Sequence, residues 1–304
     1  IMAIQVKNGK AFEWAVAKTI SEITKFKIAE SSEAKLNQNH YLNLDEKKRK
    51  VFDGSSLIAV EHILKKESSK LKGFGTITFN SDSAGKEGDV RDVIIKLDSS
   101  EIGFSCKTNH EALKHSRLSK KIDFVGKWGL HPDGCSQNYW EKINPIFVEL
   151  EDIAKESNRT ALWSDFDDKP NRVYWPLLDA WEDEILRIKS ISEVVEKEMC
   201  KNMLHYLIGK DDFYKVISHG RSKVDIHAFN FNNTLATRRS RLPEFLNSIN
   251  NKNGTQFSKT ITFNGGYSIN FRIHSASSRV EPSLKFDIAA LGLPTGEVYQ
   301  QTFD

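Results

Sequence analysis

The sequence predicts an α/β protein, and three stretches predict it. AFEWAVAKTISEITKF at 11–26 has helical periodicity, the run VIIKLDSSEIGFSCK at 93–107 reads as a β-hairpin, and KTITF with YSINFRIH at 259–274 alternate strictly. The first places Phe12, Ala15, Val16, Ile20 and Ile23 on one side of a helix, with Glu13 in its first turn at the edge of the buried stripe, where the helix dipole favours an acid. A second helix is expected at Leu57–Leu64, then a polar connection, a strand at Thr76–Phe79 and a loop in SDSAGKEG.

In the hairpin, Val93–Leu97 is apolar and β-branched, Asp98-Ser99-Ser100 is turn chemistry, and Glu101–Lys107 alternates. With Asp98 and Glu101 flanking the turn, Asp92 is expected directly opposite Lys107 on one face, while Val93, Ile95, Leu97, Ile102, Phe104 and Cys106 form the core face. Asn109 is placed to cap a helix through Lys121, on which His110, Lys114, Arg117 and Lys121 make one basic stripe. Leu177–Met203 is strongly helical in pattern, and Trp163, Trp175 and Trp181 are expected in the core. The C-terminal strands are joined by Asn264-Gly265-Gly266, a register that pairs Ile261 with Ile269 and Phe263 with Tyr267. Their other face presents Thr260, Thr262, Ser268, Asn270, Arg272 and His274, followed by Ser275, Ser277, Ser278 and Arg279. Such a face suits groove reading, because arginine can grip guanine while asparagine can read adenine or touch phosphate; a plain solvent-facing hairpin is the alternative.

Composition narrows the field. At 39% hydrophobic and 28% charged, the chain is ordinary for a globular protein. No apolar run approaches the roughly 20 residues that span a bilayer, and IMAIQVKNGK has no signal-peptide profile, so a cytoplasmic protein is expected. Cys106, Cys135 and Cys200 are too few and too scattered for a disulfide framework or a zinc knuckle. The net charge of +3 is mild but uneven: residues 149–200 hold 14 acids and 7 bases, residues 205–289 hold 12 bases and 6 acids. That asymmetry is consistent with a polyanion facing one side, or simply with a solvated acidic helix.

Two readings of Asp92 and Lys107 stand beside each other. One is a cross-strand ion pair on an exposed face. The other is a metal-dependent phosphodiesterase, in which a carboxylate holds Mg²⁺ against the scissile phosphate and a lysine orients water and offsets charge. A cysteine hydrolase using Cys106 with His110 or His115 is disfavoured, since strand parity turns Cys106 away from Lys107.

FSCKTNHEALKHSRLS, preceded by GDVRDVII and followed by DFYKVI and SINFRIHSASSRVEPSLKFDI, resembles the HaeIII group of type II restriction endonucleases, from the first helix to Asp287. The resemblance implies the PD-(D/E)xK nuclease fold, a mixed sheet flanked by helices with a β-rich C-terminal part. It implies Mg²⁺-dependent cleavage of double-stranded DNA at GGCC, with a blunt cut leaving 5′-phosphate ends. Asp92 matches the motif's first acid and Lys107 its lysine, whereas the position two before the lysine, usually acidic, is Ser105. Serine binds Mg²⁺ weakly, so a second charged ligand is sought: Glu13 first, Asp89 as its rival, with the backbone carbonyl of Cys106 as a further oxygen. Asn109, His110, Lys114, His115 and Arg117 are then expected on the DNA backbone, and Asn270, Arg272, His274, Ser275, Ser277 and Arg279 on the recognition surface. The expected organisation is a catalytic core at 1–130, a helical acidic part at 131–215 and a recognition part at 216–304. A palindromic target suits a two-fold dimer, and a cognate DNA methyltransferase is expected in the same system. A DNA-binding protein whose nuclease site has decayed at Ser105 is the competing expectation.

Overall fold

Helix α1 (Ile4–Thr24) begins two turns earlier than its periodicity suggests and buries Ala11, Phe12, Ala15, Val16 and Ile20. Glu13 therefore lies in the interior of a helix and not in its first turn, and it is itself buried. The computed structural model describes residues 4–81, 89–109, 112–220, 223–252 and 257–303, without the side chains of Ala112 and His115. The expected loop at 82–88 and the candidate His110 lie outside the described residues, as does the side chain of His115. Among the described residues no helix is long and apolar enough to cross a membrane.

The chain forms two compact units interleaved along the sequence. One comprises Ile1–Glu111, Gly209–Arg241 and Thr295–Asp304; the other comprises Ala112–Ile208 and Leu242–Pro294. This grouping cuts across a succession of segments at 1–130, 131–215 and 216–304.

In the first unit a seven-stranded mixed sheet has the order β1-β2-β3-β4-β6-β7-β12. Its strands are β1 (Lys27–Ile28), β2 (Gly75–Phe79), β3 (Val93–Leu97), β4 (Glu101–Thr108), β6 (Phe213–His219), β7 (Lys223–Phe229) and β12 (Glu297–Thr302). The pairs β1–β2 and β4–β6 are parallel and the others antiparallel. Helix α2 (Ser32–Leu42) starts at Ser31, whose side chain accepts from Ala34 N, and α3 (Glu46–Lys66) starts at Asp45, which accepts from Lys48 N. The apolar sides of α1 and α3 bury Val93, Ile95, Ile102, Phe104, Cys106, Val216 and Ile226 in one core, so the expected core face of the hairpin holds.

The second unit carries a five-stranded antiparallel sheet, order β5-β11-β10-β9-β8. It consists of β5 (Ala112–Leu118), β8 (Leu246–Asn251), β9 (Ser258–Phe263), β10 (Ser268–Ser275) and β11 (Leu284–Gly292), with helices α4 (Phe124–Trp128), α5 (Gln137–Glu156), α6 (Trp175–Lys189) and α7 (Glu193–Ile208). The β9–β10 register pairs Ile261 with Ile269, and Phe263 N donates to Tyr267 O, as the Asn-Gly-Gly loop predicts. The continuous helix expected at 177–203 is two helices, broken at residues 190–192. Trp181 and Trp163 are core, whereas Trp175 is half-buried.

The helix expected at Asn109–Lys121 is the edge strand β5, paired to β11 from Leu118↔Leu284 to Ala112↔Ala289. Asn109 adopts φ 50°, a left-handed conformation asparagine tolerates, and caps no helix. With a side-chain period of two, Lys114 and Arg117 fall on opposite faces and the basic stripe does not exist. Lys114 turns inward: its Nζ donates to Tyr206 O at 2.8 Å and sits 3.9 Å from the Tyr206 ring centroid. Burial, helped by Lys127, pulls the Lys114 pKa down to about 8. Arg117 remains exposed beside Ser283 and Glu281.

The inner face of this sheet rests on aromatic contacts, with Trp181 centred 4.7 Å from Phe271 and 5.3 Å from Phe286. Trp181→Ala is expected to cost about 3–5 kcal/mol, the range for removing a fully buried aromatic. Urea unfolding followed by circular dichroism measures it, and a loss below about 1 kcal/mol would mean that the site collapses to fill the gap.

Candidate active site

The β3–β4 ladder runs from Lys96↔Glu101 to Val93↔Phe104 and is closed by a turn in which Leu97 N donates to Ser100 O. The turn closes one residue earlier than expected and the paired register ends at Val93↔Phe104, so Asp92 is not directly opposite Lys107. The slip is even, so every side chain keeps its face. Asp92 N continues the ladder to Phe104 O at 2.7 Å, while its carboxylate takes over as the next acceptor: Oδ2 receives Cys106 N–H at 2.7 Å, Lys107 Nζ at 3.1 Å and Ser105 Oγ at 3.4 Å. Burial pulls the Lys107 pKa down, but the charge and hydrogen bond of Asp92, with Glu13, outweigh it and hold the ammonium above its usual value.

Glu13 is 6% exposed; its Oε2 accepts from Asn37 Nδ2 at 2.8 Å and lies 3.4 Å from Lys10 Nζ. Burial, then the neighbouring Asp92 charge, raise the Glu13 carboxyl to about 7 against the pull of Lys10 and Lys107. Glu13, Asp92, Cys106, Lys107, Lys10 and Asn109 line one cavity of about 680 Å³. Sequence reasoning missed Lys10 and Asn37. Lys10 stands one helical turn before Glu13 and was readable as its i,i+3 partner; Asn37 comes from another helix and left no local signal.

The donor set fits a hard divalent cation. Two carboxylates share the cavity, and the Asp92 charge helps raise Glu13. A residue in an extended strand points N–H and C=O to the same side, so the Cys106 carbonyl projects beyond the end of β3, towards Asp92. Among the described residues no three acidic, histidine or cysteine side chains form a metal cluster. The Cys106 thiol is 2% exposed, and burial pushes its pKa well above the usual value, which removes it as a nucleophile.

Asp89 is committed elsewhere. Its Oδ1 accepts from Arg91 N and Nε, and its Oδ2 from Arg91 Nη2 and Asn80 Nδ2, all at 2.8–3.0 Å, so it is corrected from candidate ligand to brace. Arg91 also bonds Glu101 at 2.9 Å, and its stem lies where a Gly103 Cβ would stand. This clamp holds the backbone that presents Asp92.

The remaining candidates lie in the second unit. Arg272 Nη2 and His274 Nε2 meet Asp287 Oδ2 at 2.9 and 2.7 Å, with Lys285 3.3 Å from Oδ1, all on the polar face of β10 and β11. Asn270 is buried against Thr260, the Ser275 carbonyl accepts from His274 Nδ1 at 2.7 Å, and Ser277 bonds Arg279 backbone atoms. Arg279 is exposed.

Gly103→Ala is expected to destabilise the first unit by about 1–3 kcal/mol, because the added methyl must displace the Arg91 stem. Chemical denaturation of wild type and variant checks it.

The HaeIII restriction endonuclease family model matches residues 9–294. Over 315 residues the chain is 32% identical to the type II restriction enzyme HaeIII of Haemophilus aegyptius, covering 97% of this chain and 96% of the relative. No solved structure matches. Enzymes of this kind act on DNA and generally need a divalent metal. A nearly full-length match, over a chain whose sheet brings Asp92 and Lys107 together, shows that this protein belongs to the HaeIII restriction endonuclease family and is a type II site-specific deoxyribonuclease.

Proposed function

We propose that Asp92, Lys107 and Glu13 form the phosphodiester-cleaving centre, that the cation is Mg²⁺, and that the enzyme cuts double-stranded DNA at the centre of GGCC to leave blunt, 5′-phosphorylated ends. The observation that carries this is the Lys107–Asp92 contact of 3.1 Å in a cavity that also takes in the buried Glu13. Asp92 and Glu13 would hold the ion with the Cys106 carbonyl. A bound Mg²⁺ supplies Lewis acidity at the scissile phosphate. Lys107, oriented by Asp92, positions a water for in-line attack and offsets charge as the phosphate becomes pentacovalent. The polar face of β10 and β11, centred on Arg272, reads bases, with Arg279 beside it. The enzyme works in the cytoplasm as a two-fold dimer on its palindrome, alongside a cognate methyltransferase.

Lys107→Ala should abolish cleavage while retaining DNA binding in Ca²⁺; near-normal turnover would sink the assignment. Glu13→Gln should raise the Mg²⁺ concentration for half-maximal rate by at least about 10-fold, whereas an unchanged metal titration would leave the ion to Asp92, water and backbone oxygen.

Arg272→Ala should lose about 1–3 kcal/mol of discrimination, roughly 5- to 150-fold, between GGCC and single-base variants. Equal weakening of cognate and variant duplexes would make this face a backbone clamp.

A further inference from the structure

At the end of the β6–β7 hairpin the strand register lines up three donor side chains. His219 is opposite Lys223, and Lys223 is opposite Thr302, so one donor comes from each of β6, β7 and β12 on the same face of the sheet. That face is also the one that carries Lys107, because Lys107 is level with Ile217 and His219 follows two residues later. These residues, with Asn109 and Gly220, line a second cavity of about 520 Å³. Asn109 and Gly220 line the catalytic cavity as well, so the two spaces share a wall.

The arrangement is built and not incidental. Asn109, in its left-handed turn after β4, accepts Gly220 N–H through Oδ1 at 2.9 Å, and its Nδ2 brings two further donors. Behind the row, the buried Asp225 meets His219 Nε2 at 2.9 Å and Lys223 Nζ at 3.5 Å, which orients both. A carboxylate set behind an imidazole and an ammonium fixes their positions without occupying the cavity mouth. What the mouth offers is an amide NH₂, a hydroxyl, an imidazole and an ammonium, a set suited to an anion with several oxygens.

We infer that Lys223, His219 and Thr302, with the amide of Asn109, bind the DNA backbone phosphate next to the scissile one. This rests on the assignment of Asp92 and Lys107 as the cleaving centre. His219 lies two residues along and one strand across from Lys107, about 8 Å away, and Lys223 one strand further, a reach on the scale of the step between neighbouring phosphates on one DNA strand. Holding the neighbouring phosphate would fix the scissile bond against Lys107, so that binding energy from an unreacting group serves the reacting one. His219 and Lys223 are positioning residues in this account.

The test uses full-length enzyme in Ca²⁺ with GGCC duplexes that carry a single neutral methylphosphonate at each position flanking the cut. For wild type, one flanking position should weaken binding about 10-fold, the effect of losing a charge-assisted contact. Lys223→Ala should weaken binding to unmodified DNA by a similar factor, lower the salt slope by about one counterion, and lose sensitivity to that one methylphosphonate while keeping it at the others. His219→Ala should do the same more weakly. The inference is overturned if both variants bind as wild type, or if they stay sensitive at every position. Lys107→Ala, assayed alongside for cleavage in Mg²⁺, separates the two claims: an inactive Lys107→Ala with unaffected Lys223→Ala removes only the phosphate pocket, whereas an active Lys107→Ala removes the centre and the pocket with it.

Discussion

Everything at the site depends on where the β3–β4 ladder stops. The paired register ends at Val93↔Phe104, and Cys106 N–H, buried in the sheet, has no backbone partner across from it on β3. The Asp92 carboxylate takes that place at 2.7 Å. A hydrogen bond to a charged acceptor contributes roughly 1.5–3 kcal/mol, and leaving the buried donor unmade costs on the same order. The side chain that meets Lys107 is therefore anchored by backbone, which fixes its direction more tightly than an exposed ion pair could. Arg91 secures the same segment from the other side: three acids, Asp89, Glu101 and Asp211, surround its guanidinium and hold its pKa above an already high value. Engaged by these acids, Arg91 braces the segment that carries Asp92.

The serine at 105 becomes intelligible from the charges around it. Ser105 is buried and 3.4 Å from Asp92 Oδ2. A carboxylate there would stand beside Asp92 with Glu13 already in the same cavity, making three acids against Lys10 and Lys107. Glu13 is already raised to about 7 by burial and one neighbouring charge. A third acid would raise the desolvation and repulsion further, whereas serine donates to Asp92 and adds no charge. On the proposed assignment the second acid comes from a helix packed on the sheet and not from the strand itself, and Asn37 and Lys10 hold Glu13 in position.

What the sequence made legible was local. The Asn264-Gly265-Gly266 loop set the β9–β10 register to the residue because glycine at positive φ, here 75° and 91°, leaves few alternatives. The hairpin that carries Asp92 and Lys107 was readable in its faces but not in its register, since Asp98-Ser99-Ser100 allows the turn to close at more than one place. The cross-strand pair Lys96↔Glu101, opposite charges face to face, was the available clue. The misread at 109–121 has a different cause. Four basic residues at helical spacing suggested a stripe, yet Leu113 and Leu118 do not repeat with a helical period. The partner that defines the segment, β11, is some 170 residues further along the chain, and Tyr206, which receives Lys114, is 92 residues away. Long-range pairing of this kind leaves almost no local trace.

The polar face of the second unit raises a question of electrostatics. Asp287 sits amid Arg272, His274 and Lys285, where a carboxylate opposes attraction for a polyanion. Removing it would strengthen general attraction to phosphate but release three flexible cations. With it, the guanidinium of Arg272 is held through one Nη, and the rest of its planar fork keeps a defined direction. Discrimination between bases depends on donor geometry, whereas affinity for any duplex depends on net positive charge. If this face reads bases as proposed, an acid at its centre lowers the second and sharpens the first, the balance that a site-specific enzyme requires among an excess of other sequences.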